Sequence, residues 1–254
     1  TLHPDAVNMS LGRTAGMDSD ADTLFAGVYE KLQEKGITLD VAGGNEFQAG
    51  YGNKSGKNLP YASDPDSSTL GEPGSFAPVV TVASIENARN GANGNYKMSD
   101  FSSWGVSPDM RLKPEVTAPG GNIYSLMNGG GYQNMSGTSM ASPQVAGMAA
   151  VVAQYIRANK LTEKTGLTAR ALAQSLLMST AVPMYQDYGE GKYGYYSVMQ
   201  QGAGLANVGD AINAGSYISM DADATDSYAD GKVKVELGDD VHRTGVYTFG
   251  FTIH

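Results

Sequence analysis

Asn134-Met135-Ser136-Gly137-Thr138-Ser139-Met140-Ala141-Ser142-Pro143-Gln144-Val145-Ala146-Gly147 decides how the rest of the chain is read. Small residues before Ser139 permit a tight strand-to-helix turn, and the apolar spacing predicts a helix from Ser139 to about Ala158. Val145, Met148, Ala149, Val152 and Ile156 fall on its inner face. Pro143 lies in the first turn, where its missing donor does no harm. Such a helix points unpaired N–H groups and the positive end of its dipole at whatever precedes it. Ser139 then has two readings. It is a cap, as Ser or Thr before an apolar helix usually is, or its hydroxyl is a nucleophile whose own N–H faces a developing oxyanion.

Working outward, Ala6-Val7-Asn8-Met9-Ser10-Leu11 is a buried-strand candidate closed by Gly12. Asp20 to Lys35 reads as a helix with Ala21, Leu24, Phe25, Val28 and Leu32 on one face, ended by Gly36. Ile37 to Ala42 is a second strand, leading into the turn Gly43-Gly44-Asn45-Glu46. Strand, helix and strand in close succession imply a βαβ unit and parallel pairing. Residues 49–76 have loop composition, Pro78 to Ser84 is a third strand, and Thr168 to Ser179 a further helix. The fold class is therefore α/β with a parallel sheet. After Ser216 the pattern changes. Lys232 to Leu237 and Tyr247 to Ile253 alternate strictly, which predicts half-solvated antiparallel strands and a domain boundary near 214–220.

The 254 residues are 41% hydrophobic and 17% charged, with a net charge of -9. That balance argues against nucleic acid or an anionic membrane surface as partner. There is no cysteine, which excludes disulfides, thiolate catalysis and Cys-based metal sites, and fits either a reducing compartment or an exported bacterial protein. No apolar run has the length of a membrane span. Thr1-Leu2-His3-Pro4-Asp5 has no signal-peptide character and reads as the interior of a longer protein.

The segment around Ser139 resembles, almost letter for letter, the nucleophile segment of the subtilases, where Gly-Thr-Ser-Met-Ala-x-Pro-x-Val-Ala-Gly surrounds the catalytic serine. The resemblance implies a subtilisin-like parallel-sheet sandwich, present here in part, with Ser139 as nucleophile and Thr138 beside it in the substrate cleft. Asp5 to Gly12 is similar to the subtilase strand whose end, here Ser10-Leu11-Gly12, walls the primary specificity pocket and pairs with substrate backbone. Ala42-Gly43-Gly44-Asn45-Glu46 is similar to the family's Ala-Gly-Asn-Glu segment, so Ala42, Gly43 and Gly44 would line the other side. Asn45 would be the side-chain donor of the oxyanion hole, although alone it reads as a turn residue.

Met98 to Gly105, Leu112 to Gly121 and Gln200 to Gly204 extend the likeness to the large cell-envelope subtilases of Gram-positive bacteria, the lactocepin and complement-cleaving group. This implies a serine endopeptidase acting on protein or peptide substrates, extracellular or cell-wall associated. It also implies that residues 1–215 are the C-terminal part of a catalytic domain. Residues 216–254 would be the first strands of a fibronectin-type-III-like domain. The protease-associated insert common in that group is absent near 88–96.

The family's histidine and aspartate motifs do not occur. His3, His242 and His254 lie in no matching context, so the triad base and its orienting aspartate are expected in a missing N-terminal half. The chain alone is expected to be nearly inactive. The alternative is a catalytically incomplete or degenerate homologue serving as a peptide-binding module. An esterase using another base is weaker for want of a suitable histidine. No cofactor is implied. Structural calcium at Asp18-Ser19-Asp20 competes with a solvated turn or cap. The tyrosines from Tyr185 to Tyr196 are expected to pack their rings beside the domain.

Overall fold

Four runs rich in Val, Ala and Thr form the central sheet of the computed structural model, which describes residues 3–13, 23–47, 70–87, 96–107, 110–187, 191–221, 231–236 and 241–254. In chain order the elements begin with β1 (Ala6–Met9), α1 (Thr23–Glu34), β2 (Thr38–Ala42), β3 (Val80–Glu86) and β4 (Val116–Gly121). A hairpin of β5 (Ile123–Leu126) and β6 (Tyr132–Met135) leads into α2 (Thr138–Ala158). There follow α3 (Leu161–Thr165), α4 (Ala169–Ser179), β7 (Tyr185–Asp187), β8 (Tyr193–Tyr195), α5 (Val198–Gln201), α6 (Val208–Asn213), β9 (Ile218–Met220) and β10 (Phe251–Ile253).

The sheet runs β1-β2-β3-β4, every pair parallel, with Val7 opposite Leu39, Val41 opposite Thr81 and Val82 opposite Val116. Alternation sorts the side chains to two covered faces. Val80, Val82, Val116 and Ala118 meet Ala141 and Val145 of α2 on one side. Leu39 and Val41 meet Ala26 and Tyr29 of α1 on the other. A further cluster joins Ala149, Val152 and Ile156 to Leu172, Leu176 and Leu177 of α4 and Ala211 of α6. The parallel α/β reading and the inner face of the long helix are thus as expected.

Three local expectations differ. On α1 the buried residues are Ala26 and Tyr29, whereas Leu24 is 75% exposed and Phe25 and Val28 stay outside. The tyrosine wins because its ring meets Phe76 edge-on at 5.2 Å, a better seat than the aliphatic stripe finds. The described end of the loop-like region is the second difference. Leu70 to Val79 is buried throughout, with Leu70, Phe76 and Val79 in the core.

The third is the alternating segment from Lys232. Residues 231–236 form no strand, and Lys232 is buried. Its ammonium enters the α/β body and bonds the carbonyls of Ala77 and Val79, both at 2.6 Å, and Glu115 at 2.9 Å. Alternation here marks a strap anchored by a lysine. Of the stretch from Tyr247, only β10 is strand, paired antiparallel with β9.

Glu115 is the hub of this charged cluster. Lys113 reaches it at 3.0 Å, Lys234 at 3.4 Å, and the Thr81 N–H at 2.7 Å. Burial pushes its carboxyl up, but the three ammonium groups and Thr81 outweigh that and hold it well below the ordinary range. Burial draws Lys113 down to about 8 and Lys232 well down, each opposed by Glu115. The Asp18-Ser19-Asp20 site, Tyr188 and most of the connector near 88–96 lie outside the described residues. Of the remaining tyrosines, Tyr196 is buried, while Tyr185 and Tyr195 pair hydroxyl to hydroxyl at 2.8 Å on the surface.

Candidate active site

The carboxyl ends of β1 and β2 meet the N-terminus of α2, the place where open parallel sheets receive ligands. A cleft of about 260 Å³ opens there, lined by Leu11, Gly12, Arg13, Ala42, Gly44, Asn45, Glu46, Gly71, Thr138 and Ser139. The structure thus brings together Leu11, Gly12, Ala42, Gly44, Asn45, Thr138 and Ser139 as the sequence suggests. Ser10 and Gly43 stand behind the lining. Gly43 spends its N–H on the Val82 carbonyl, and its own carbonyl accepts from Gly71. Ser10 turns its hydroxyl toward α2.

Ser139 is not a cap. The helix starts one residue earlier than expected, at Thr138, with Gly137 at the cap position and no side-chain cap bond. Gly137 is held by its N–H on the Gly120 carbonyl at the end of β4. Ser139 is half-buried, and its hydroxyl has no hydrogen bond among the described residues. Its backbone N–H belongs to the first turn, which has no intrahelical acceptor to offer.

Asn45 is oriented from below. Its Oδ1 accepts the Thr138 N–H at 2.9 Å and the Thr138 hydroxyl at 3.1 Å, while that hydroxyl accepts the Gly44 N–H at 3.0 Å. With the oxygen so engaged, the amide nitrogen Nδ2 faces the space over Gly137. A side-chain carbon at Gly137 would sit 3.4 Å from that Nδ2 and 3.6 Å from both Ser139 N and Met140 Sδ. Two N–H donors therefore flank one small opening, which glycine leaves clear.

The turn carrying Asn45 is braced by the Phe101–Trp104 loop. Ser103 N–H donates to the Gly44 carbonyl, the Glu46 N–H donates to Ser103 Oγ at 3.0 Å, and Phe47 meets Trp104 edge-on. Gly44 has φ +112, and a Cβ there would lie 2.8 Å from Ser103 Oγ, so both backbone and space require glycine.

Sequence reasoning missed Arg13, Glu46 and Gly71 in the lining. Arg13 and Glu46 directly follow expected site residues, so continuity along the chain was the available signal. Arg13 pairs with Glu72 at 2.7 Å. Gly71 gave no signal, because it lies in a stretch of loop composition. All three histidines are described. His3 and His242 are exposed, and His254 stacks on Tyr217 at 4.7 Å with Nε2 2.7 Å from Ser219 Oγ. None bonds Ser139. Among the described residues no cluster of three His, Asp or Glu is placed to hold a metal, and no helix is long and apolar enough to cross a membrane.

A family model described as "Subtilase family" matches residues 2–221. A subtilisin of Bacillus sp. (strain TA39) is 33% identical over 199 residues, covering 76% of this chain and 41% of that protein. The PIII-type proteinase of Lactococcus lactis subsp. cremoris is 38% identical over 147 residues, 53% of this chain and 7% of that protein. A C5a peptidase of Streptococcus pyogenes is 37% identical over 131 residues, 52% and 11% respectively. The chain thus spans less than half the length of these relatives. Among solved structures, the prenylagaramide maturation protease PagA superposes with a TM-score of 0.56 at 25% identity, over 82% of this chain and 61% of that one. A parallel α/β sheet, the run of residues about Ser139 and a family match over most of the chain agree: this chain belongs to the subtilase family of serine peptidases.

Proposed function

We propose that the chain is the nucleophile-bearing part of a serine endopeptidase. The observation that carries this reading is the anchoring of Asn45 by Thr138, which leaves the Asn45 and Ser139 N–H groups on either side of one opening next to an unbonded hydroxyl. Ser139 Oγ attacks the peptide carbonyl carbon while a histidine outside this chain takes its proton. The carbonyl oxygen becomes an oxyanion held by Asn45 Nδ2 and the Ser139 N–H. The C–N bond then breaks as the amine accepts the proton, and water releases the acyl group by the reverse sequence.

The substrate is an extended protein segment added as a strand along Ser10 to Gly12, with Ala42, Gly44 and Thr138 across the cleft and Gly43 supporting them from behind. Its histidine and aspartate come from an N-terminal half that pairs along the open edge of β1 and covers the exposed Leu24, Phe25 and Val28. The chain alone is therefore nearly inactive, and the chemistry calls for no cofactor. Residues 1–215 form the catalytic part, and 216–254 begin a fibronectin-type-III-like domain with 231–236 as the seam. The likeness to cell-envelope subtilases favours an extracellular or wall-associated setting.

The test is a fluorophosphonate probe on the full-length protein: Ser139 is labelled, and labelling that survives Ser139→Ala overturns the assignment. The absence of any histidine bonded to Ser139 in this chain favours a second reading, a non-catalytic peptide-binding module. Mixing the chain with the N-terminal half separates the two. Turnover only in the mixture supports the peptidase, and peptide binding without turnover in either supports the module.

A further inference from the structure

The first turn of α2 holds both walls of the cleft, by two different devices. Thr138 holds the Gly44–Asn45 wall. On the opposite side Ser142, three residues beyond Ser139 and fully buried, faces the end of β1. Ser142 Oγ donates to Asn8 Oδ1 at 2.8 Å, Asn8 Nδ2 donates to Ser10 Oγ at 2.9 Å, and the Ser10 and Ser142 hydroxyls lie 3.1 Å apart. Proton bookkeeping assigns the third bond. Ser142 has spent its single proton on Asn8, so at the third contact Ser10 is the donor, and it takes the shorter of its two choices, Ser142 Oγ at 3.1 Å over Asn8 Oδ1 at 3.4 Å. Each of the three side chains then gives one hydrogen bond and receives one around a closed ring.

The ring joins residues far apart in sequence at the point where wall and nucleophile must be in register. Ser10 begins the wall whose Leu11 and Gly12 line the cleft, and Ser142 shares a helical turn with Ser139. Closed rings of this kind are cooperative and specific in geometry. Asn8 and Ser10 are exposed, so loss of Asn8 leaves only the buried Ser142 hydroxyl without its acceptor, and loss of either Asn8 or Ser142 frees the wall to shift. Displacements of about 1 Å between a bound substrate and its attacking group are costly to rate.

We propose that Asn8 and Ser142 are positioning residues: the Asn8–Ser10–Ser142 ring sets the spacing between the Ser10–Gly12 wall and Ser139. The proposal rests on the reading of Ser139 as nucleophile. A substrate that lies along the wall needs that spacing. A small phosphonate that reaches only Ser139 does not.

The test uses the full-length protein with Asn8→Ala, Ser142→Ala and the double variant. For each, kcat/KM on an extended peptide is compared with the rate of fluorophosphonate labelling. We expect each single variant to lose about tenfold on the peptide, several times more than on the phosphonate. The double variant should lose little beyond either single one, as members of one ring do. Equal losses on both probes, or additive losses in the double variant, overturn the proposal, because a merely structural role predicts them. Should Asn8→Ala fail to fold, Ser142→Ala, which removes one oxygen, decides the matter alone by the ratio of the two rates. If Ser139→Ala leaves labelling intact, the underlying assignment fails. If it abolishes labelling while the ratio stays put, only the ring proposal falls.

Discussion

The two ends of the parallel sheet treat polar groups in opposite ways. At the carboxyl ends of β1 and β2 the cleft keeps Asn45 Nδ2 and the Ser139 hydroxyl without a hydrogen-bond partner among the described residues, beside small residues and half in water. At the amino ends of β3 and β4, Glu115 has no exposure and is met by lysines and by the Thr81 N–H. The first end leaves capacity for a ligand. The second meets Glu115, Lys113 and Lys232 with counter-charges and carbonyls, because an unpaired charge in a dry interior is far costlier than an unpaired amide at a surface. Open binding capacity and buried charge pairing are thus housed in the same sheet but at opposite ends and on different strands, and substitutions at either should show it.

The largest effect is expected at the charged end. Glu115→Ala strands Lys113 and Lys232 without their counter-charge and should remove about 3 to 5 kcal/mol of stability. The thermal midpoint of the full-length protein should fall by roughly 10 °C, while the folded fraction keeps its labelling rate at Ser139. A variant that melts normally would break the contrast. At the cleft the pattern reverses. Asn45→Ala should lower kcat by about 10²- to 10³-fold, a range measured for the corresponding donor of subtilisin itself, with the melting point nearly unmoved. A matching loss of stability would mean that Asn45 is chiefly a structural residue.

Asp40, in the middle of β2, sharpens the comparison by lying between the two ends. Burial raises its pKa from 3.8 to about 7, against the charge of Arg170 and a hydrogen bond from Thr38. Between those values the native state keeps a proton that the unfolded chain has released. Its stabilising contribution is therefore complete below pH 3.8, declines as pH rises, and is lost above about 7. Asp40→Asn should abolish that decline, on the order of 4 kcal/mol across the window. Denaturant titrations of both forms at pH 4 and pH 8 measure it, and parallel curves would show that Asp40 titrates normally.

The cleft was legible chiefly through the resemblance of its short contiguous runs to the subtilases, since local chemistry alone left Ser139 a cap or a nucleophile and Asn45 a turn residue. The helix α2 was legible for a different reason, since one dominant apolar stripe leaves a single way to bury it. On α1 two stripes compete, and only the seat of Tyr29 on Phe76 decides between them. The end of the loop-like region, Leu70 to Phe76, has loop composition from its glycines and proline, yet it is buried beneath the cleft and the strap. Lys232 misled most. In a pattern of alternation a lysine marks the wet side, and nothing near it in sequence reveals a carboxylate waiting at Glu115. The Ser10–Ser142 contact is equally invisible, since its members are 132 residues apart.

The strap also carries a consequence for how the protein is made. Glu115 and Lys232 are 117 residues apart, so a ribosome working at about 5 to 20 residues per second exposes the acid on the order of ten seconds before its distal partner. During that interval the nascent sheet has Lys113 but lacks the residue that reaches Ala77, Val79 and Glu115 together. Chains arrested with residue 230 just outside the ribosome should accordingly be cut readily by added protease. Those arrested beyond residue 236 should resist, and equal resistance would show that the earlier strands lock without the strap. Synthesis of the strap, on this account, is the step that closes the sheet.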